Sequence, residues 1–98
     1  MAWTLYLLPS AQRGALEAAL RDDQLSRQSQ TIRDASTLSG PADALYVLLE
    51  GGPEAVRRAD ELLGPLGAKP ADAERVYRRI KEDEESASAG MGLFFTEG

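Results

Sequence analysis

The apolar positions of this chain fall into short runs that predict four β-strands. Residues 3–8 (WTLYLL) and 44–50 (ALYVLLE) are apolar on both faces, which is typical of strands at the centre of a sheet. Residues 28–37 (QSQTIRDAST) alternate in side-chain character but are mostly polar, which suits an edge strand with one solvent-exposed face. The glycine-bounded segment 90–97 (GMGLFFTE) is predicted to be the last strand.

Helical spacing of small and apolar residues predicts three helices between these strands. The first follows Ser10, a suitable N-cap, and should stop near Leu20 because the two aspartates that follow oppose the helix dipole. The second begins after Gly52, with Pro53 at its first position. The third is predicted over residues 70–85, and its narrow apolar face is formed by Ala73, Val76, Tyr77 and Ile80.

The predicted order of elements is β-α-β-β-α-(α)-β, which is the split βαβ or ferredoxin-like order. LYLLPS (residues 5–10) followed by a helix, and ALYVLLEGGPEAVRRADELL (44–63), resemble the two halves of small ferredoxin-like domains, including ACT-like modules and acylphosphatases. The resemblance covers most of the chain. It implies one α+β domain over residues 1–98 with a four-stranded antiparallel sheet. The first and third strands are then central, and the extra third helix precedes the last strand.

The composition excludes several chemistries. The chain has no cysteine and no histidine, so disulfides, thiolate metal sites and the commonest general base are all missing. The net charge of −5 has the wrong sign for a non-specific nucleic-acid binder. Asparagine is also absent, which together with the missing cysteine fits either a thermophilic source or drift in an Ala- and Arg-rich genome.

Three features resemble functional sites, and each has a simpler structural interpretation. The Gly-Gly-Pro turn at residues 51–53 makes a poor phosphate loop, since Pro53 removes an N–H donor and Glu54 adds negative charge. The acidic run at residues 82–85 has no calcium-loop spacing and fits a solvated helix end. Ser10 has no histidine to activate it. The sequence therefore predicts no catalytic, cofactor-binding or metal-binding residue.

The families that resemble this chain differ from it in informative ways. Acylphosphatases use an asparagine and an arginine to hold phosphate, and this chain has no asparagine. Small-ligand sensing, as in ACT-like modules, stays open as an alternative. Single-stranded RNA binding is a further alternative, because LYL (residues 5–7) resembles the first-strand signature of RNA-recognition motifs and Tyr46 could stack on a base. The acidic charge and the missing basic, aromatic third-strand pattern argue against RNA.

One face of the predicted sheet is too apolar to lie in water. The face that should receive the helices is expected to hold Trp3, Leu5, Leu7, Leu45, Val47 and Leu49. The opposite face is then expected to hold Thr4, Tyr6, Leu8, Tyr46, Leu48 and Glu50. A second copy of the chain, a ligand pocket under the third helix, or the third helix itself could cover this second face.

Coverage by a second copy is the main expectation, with a contact formed by Tyr6, Tyr46, Leu48 and Phe94. The sequence thus predicts a non-enzymatic binding or assembly module that forms a homo-oligomer, with a protein or small molecule as a further partner and no cofactor. No apolar run approaches the roughly 18 residues of a membrane span. The N-terminus MAWTLYLLPS has no basic region and no cleavage site, so we expect a cytoplasmic protein without membrane contact.

Overall fold

The computed structural model describes residues 2–84 of the chain. Its strands are β1 (Ala2–Pro9), β2 (Ser29–Asp34) and β3 (Ala44–Gly51). Its helices are α1 (Arg13–Leu20), α2 (Pro53–Leu63) and α3, which covers residues 73–84. Short 3-10 turns occupy Ser10–Gln12, Leu25–Arg27, Ala35–Leu38 and Gly64–Leu66. None of the helices in this part of the chain has the length and apolar character that a membrane crossing needs.

The start of α2 and the end of α1 confirm the local sequence signals. Gly52 is the N-cap of α2, and Pro53 takes the first helical position, where its missing N–H costs nothing. Glu54 lies in the first turn, where its charge favours the positive end of the helix dipole. The first helix ends at Leu20, as its sequence predicts.

The prediction of a four-stranded, ferredoxin-like sheet is wrong. The sheet has three antiparallel strands in the order β1-β3-β2, so within residues 2–84 only β3 is central and β1 lies at an edge. The segment expected to form a last strand, residues 90–97, lies outside the described residues. The described part of the chain is a small α+β structure with a three-stranded sheet and three helices.

The outer edge of β1, where a fourth strand is expected from the sequence, is partly used by the segment that follows α2. Leu7 N–H donates to Ala68 O at 2.8 Å, and Ala68 N–H donates to Leu7 O at 3.2 Å. Gly67 permits this close approach, because a Cβ at that position would collide with the Leu7 carbonyl oxygen. A Gly- and Pro-containing connection, rather than a strand, therefore pairs with β1 at this point.

The register between β1 and β3 corrects the predicted assignment of residues to the two sheet faces. Tyr6 lies opposite Val47, and Leu5 lies opposite Leu48. The face toward α1 and α2 holds Tyr6, Leu8, Leu45, Val47 and Leu49. The face toward α3 holds Trp3, Leu5, Leu7, Tyr46, Leu48 and Glu50. The expectation that Trp3, Leu5 and Leu7 share a face with Leu45, Val47 and Leu49 is therefore wrong.

The helix α3 covers the second face of the sheet within the same chain. Val76 and Ile80 are completely buried and pack in one apolar cluster with Tyr46 and Leu48. Full burial of aliphatic side chains of this size stabilises a fold by about 1.5–3 kcal/mol each. Of the three arrangements that the sequence leaves open for this face, coverage by the third helix is the one observed, and helices cover both faces.

Candidate functional site

The structure buries the described residues that the sequence predicts as a contact between copies. Tyr6 is 1% exposed and lies in the cluster formed with α1 and α2. Tyr46 and Leu48, which are 2% and 0% exposed, lie beneath α3 on the other face. Tyr6 and Tyr46 therefore form no common patch. Phe94 lies outside the described residues.

The Gly-Gly-Pro turn between β3 and α2 has a structural explanation. A Cβ at Gly51 would meet the end of the flexible Gln28 side chain, which can move aside, so this contact alone does not require a glycine. Gly52 faces open space, so no close neighbour requires a glycine there. An open depression of about 630 Å³ at this end of the sheet is lined by Ala2, Gln28, Gly51, Gly52 and Pro53. None of these side chains is charged, so the lining supplies no cation for a phosphate.

A charged cluster ties β1 to α2 and to the segment that follows it. The buried Tyr6 hydroxyl donates a hydrogen bond to Asp60 Oδ1, and Lys69 Nζ lies 3.0 Å from the same oxygen. Lys69 Nζ also lies 5.8 Å from the centre of the Tyr6 ring, within the range of a cation–π interaction. Thr4, two residues earlier on β1, has a buried hydroxyl without a hydrogen-bond partner among the described residues.

These contacts shift the acidity of both partners. Burial, followed by the hydrogen bond to Asp60, raises the pKa of Tyr6 well above its usual value. Burial by itself would raise the pKa of Asp60, but the hydrogen bonds from Tyr6 and Lys69 outweigh it and lower that pKa. At neutral pH the phenol is protonated and the carboxylate is charged. A phenol that resists ionisation is a poor base or nucleophile, so the cluster favours a structural role.

A second polar cluster fixes α3 to the other face of the sheet. Glu50 is 7% exposed, and both of its carboxylate oxygens accept from Lys81 Nζ at 3.2 Å. The Tyr77 hydroxyl donates to the same carboxylate at 3.4 Å. The hydrogen bond to Glu50 raises the pKa of Lys81, which also pairs with Glu84 at 3.4 Å. The charge of the buried carboxylate is thus compensated within the chain.

The outer face of α3 carries charges of both signs. An open depression of about 500 Å³ is lined by Glu74, Arg75, Arg78, Arg79 and Glu82. Arg75 pairs with Asp72, and Arg79 pairs with Asp83. Mixed and internally paired charges do not select one class of charged ligand. Within residues 2–84, no three acidic side chains converge in a way that could hold a metal ion.

The hydrogen-bond pattern of the sheet shows which backbone groups of β1 point outward. In an antiparallel pair, the N–H and C=O of successive residues point alternately toward the partner strand and away from it. Leu7 exchanges both of its hydrogen bonds with Ala68, so its backbone groups point away from β3. The groups of its neighbour Tyr6 therefore point toward β3, where Val47 lies opposite.

The same alternation continues through β3 to β2. Because Val47 uses its backbone groups toward β1, those of Tyr46 and Leu48 point toward β2 and meet Arg33 and Thr31. Ser29, opposite Glu50, also points its backbone groups toward β3, so the residues of β2 whose N–H and C=O groups point outward are Gln30, Ile32 and Asp34. Among the backbone–backbone hydrogen bonds outside the helices and strands of residues 2–84, none reaches these outward groups. Asp34 is the N-cap of the 3-10 turn Ala35–Leu38, so its C=O accepts the first hydrogen bond of that turn. We call the outward groups of these three residues the open edge of β2.

Two side chains support this assignment of the open edge. Arg33 Nη1 donates to Ile32 O at 3.2 Å, and Thr37 Oγ1 donates to Asp34 O at 2.6 Å. Both acceptors are carbonyls that the alternation places on the outer side of the strand. The position of β2 at a sheet edge confirms the sequence prediction. The identity of its outward residues was missed, because it follows from the pairing of Leu7 with Ala68 and from no pattern within β2 itself.

No known protein family, curated protein or solved structure gives a significant match to this chain. We therefore infer the function from the geometry of residues 2–84. Within that geometry, the two buried polar clusters hold elements of the chain together. The open edge of β2 presents three successive outward residues whose backbone groups lack strand partners in the described residues, whereas on β1 the contact with Ala68 interrupts the outer edge and leaves the outward groups of Trp3 and Leu5 without such a partner.

Proposed function

We propose that the protein is a non-enzymatic binding or assembly module that associates with copies of itself. The observation that carries the proposal is the open edge of β2, where three residues present backbone donors and acceptors without a strand partner in residues 2–84. An unpaired sheet edge is a template to which another extended chain can add.

The shape of the edge favours an extended chain over a small ligand. Outward groups recur at every second residue, which is about 6.6–6.8 Å along a strand. Another strand matches this repeat along its whole length, whereas a small ligand matches one set of groups. Each backbone hydrogen bond made in this way contributes a net free energy of about 0.5–1.5 kcal/mol, because the donor and acceptor first lose their hydrogen bonds to water.

Association at the edge leaves the core of the protein intact. Tyr46 and Leu48 are buried under α3, so a contact through that sheet face would first have to displace this helix. An edge contact needs no such opening, because its donors and acceptors already lie at the border of the sheet. We therefore place the proposed self-association at the edge of the sheet instead of on its face.

The molecular mass in solution tests the proposal. Sedimentation equilibrium of the full chain should show a mass that rises with concentration from 10.6 kDa toward twice that value. The rise should occur between about 10 μM and 1 mM, the range in which a contact worth about 4–7 kcal/mol becomes populated. A mass of 10.6 kDa throughout that range would contradict self-association.

A further inference from the structure

We infer that β2 pairs antiparallel with β2 of a second copy, in a register that places Ile32 opposite the second copy's Ile32. This inference rests on the proposed self-association and adds to it the contact surface and the alignment. The three strands described in each copy would then join into one continuous sheet. The partner is a second copy of this chain.

The outward hydrogen-bonding groups limit the possible registers. A new strand can bond to the edge only if its own outward residues lie opposite Gln30, Ile32 and Asp34. When Ile32 faces Ile32, Gln30 faces the second copy's Asp34, and all three outward residues of each strand find an outward partner. A shift by two residues in either direction leaves one of the three without a partner inside the strand (Ser29–Asp34). The register centred on Ile32 therefore forms the most hydrogen bonds.

The side chains in this register are compatible with one another. Asp34 lies opposite Gln30, whose side-chain amide donates to Leu20 O and Leu25 O of its own chain, and the partly buried Ile32 side chains lie opposite each other at the centre. Arg33 faces Thr31, so no like charges lie directly opposite. Registers centred on Arg33 or on Asp34 would oppose two identical charges, which destabilises a strand pair.

The symmetry of the pair agrees with the layers of the fold. Antiparallel pairing of two identical edges has a two-fold axis perpendicular to the sheet, so each face of one copy continues into the same face of the other. The helices α1 and α2 of both copies then lie on one side, and the two α3 helices lie on the other. Each copy carries a net charge of −5, so added salt should strengthen the association by screening their repulsion.

A proline at position 34 tests the pairing of backbone groups. Asp34 has φ −64°, the value that proline prefers, and its side chain is exposed, so Asp34→Pro should fold normally. Proline removes the outward N–H of residue 34 and places its ring at the edge. Asp34→Pro should raise the dissociation constant of the dimer at least about 10-fold, since two hydrogen bonds are lost per dimer. The matched control Asp34→Ala keeps the N–H and should change it much less.

A second pair of variants tests the register and does not depend on proline. Ile32→Asp places two carboxylates directly opposite each other across the two-fold axis, whereas Ile32→Asn loses the same packing without the charge. The inferred register predicts that Ile32→Asp is monomeric at neutral pH at concentrations where Ile32→Asn still dimerises. The difference should shrink as the pH is lowered below about 4 and the new carboxyl group becomes protonated.

The outcomes separate this inference from the proposed function. If the wild type dimerises, only Asp34→Pro loses the dimer, and Ile32→Asp dissociates more than Ile32→Asn, the inference is supported. Suppose instead that the wild type dimerises while Asp34→Pro has the same dissociation constant as Asp34→Ala, and Ile32→Asp the same as Ile32→Asn. In that case copies associate through another surface. The inference is then overturned and the proposed self-association stands. If the wild type remains at 10.6 kDa, both fail.

Discussion

The rings of Trp3 and Tyr77 are stacked, with their centroids 4.3 Å apart and their planes 7° from parallel. Trp3 lies on β1 and Tyr77 on α3, so this contact joins the sheet to the helix that covers its second face. The same helix places Lys81 on the buried carboxylate of Glu50. The attachment of α3 to the sheet is therefore both aromatic and ionic, and it can be tested at each contact separately.

The first prediction concerns the stacked rings. Tyr77→Leu should lower the free energy of unfolding by about 0.5–1.5 kcal/mol, because the stacking is lost while an apolar side chain remains. The chain has one tryptophan, so a change in its fluorescence will report directly on the Trp3 environment. The control Tyr77→Phe keeps the ring and should leave the fluorescence of the folded protein nearly unchanged. Equal spectra for Tyr77→Leu and wild type would contradict the stacked arrangement.

The second prediction concerns the Tyr6 hydroxyl. Tyr6→Phe should lower the free energy of unfolding by about 1.5–3 kcal/mol, the usual contribution of a hydrogen bond to a charged group. Asp60→Asn keeps an oxygen that can accept the same hydrogen bond, so it should cost less. Urea unfolding of both variants measures the difference. If Tyr6→Phe is as stable as the wild type, the hydrogen bond to Asp60 does not hold β1 to α2.

The third prediction concerns the buried carboxylate beneath α3. Lys81→Met leaves Glu50 charged and buried without its cation, and it should cost about 1–2 kcal/mol because Lys81 is itself partly exposed. The double variant with Glu50→Gln should recover much of that loss, since no buried charge remains. Arg79→Met, which removes an exposed ion pair with Asp83, is the matched control and should cost about 0.5 kcal/mol or less. A double variant no more stable than Lys81→Met would show that packing, not charge, dominates.

The fourth prediction concerns acid. The hydrogen bond from Arg58 lowers the pKa of Asp22, and the pKa of Asp60 is lowered because the hydrogen bonds from Tyr6 and Lys69 outweigh its burial. A carboxyl group whose pKa is lower in the folded state stabilises the fold above its unfolded pKa of about 3.9 and loses that contribution as the pH falls further. The free energy of unfolding should therefore decrease between about pH 4 and pH 2.

Urea unfolding at several pH values will measure this decrease. Asp22→Asn removes one of the groups and should make the decrease shallower, whereas it should leave the dependence above about pH 5 unchanged. An unfolding free energy that stays constant below pH 4 would contradict the contribution assigned to these carboxyl groups.

Within residues 2–84, the sequence was sufficient for the approximate positions of the strands and helices but not for their arrangement. The predicted start of α2 at Pro53 and the predicted end of α1 at Leu20 agree with the structure. Both predictions rest on local signals, because caps and helix dipoles act over a few residues. The assignment of faces failed because β1 and β3 are apolar on both sides. A strand with one polar side reveals its orientation, whereas here a shift of one residue in register would exchange the faces without changing the pattern.

The error over the number of strands has a related cause. The two hydrogen bonds between Leu7 and Ala68 use part of the β1 edge, and Ala68 lies in a connection that has no strand pattern. The one sequence feature that this pairing requires is the glycine at position 67. A glycine after a helix is also common as a helix C-cap, so it does not by itself indicate pairing with β1. The open edge of β2 was predicted as an edge, but its outward residues depend on this distant pairing.

Amide hydrogen exchange in the full chain measures strand pairing at the β2 edge, because it reports on the inner and outer sides of β2 separately. The Thr31 amide points toward β3 and should be protected at every protein concentration, whereas the Ile32 amide points outward. We predict that the Ile32 amide exchanges rapidly at about 20 μM and becomes protected at about 1 mM, where the dimer is populated. An Ile32 amide that exchanges equally fast at both concentrations would contradict pairing at this edge. If the amide is equally protected at both and the mass at about 20 μM is that of a monomer, the chain covers the edge itself.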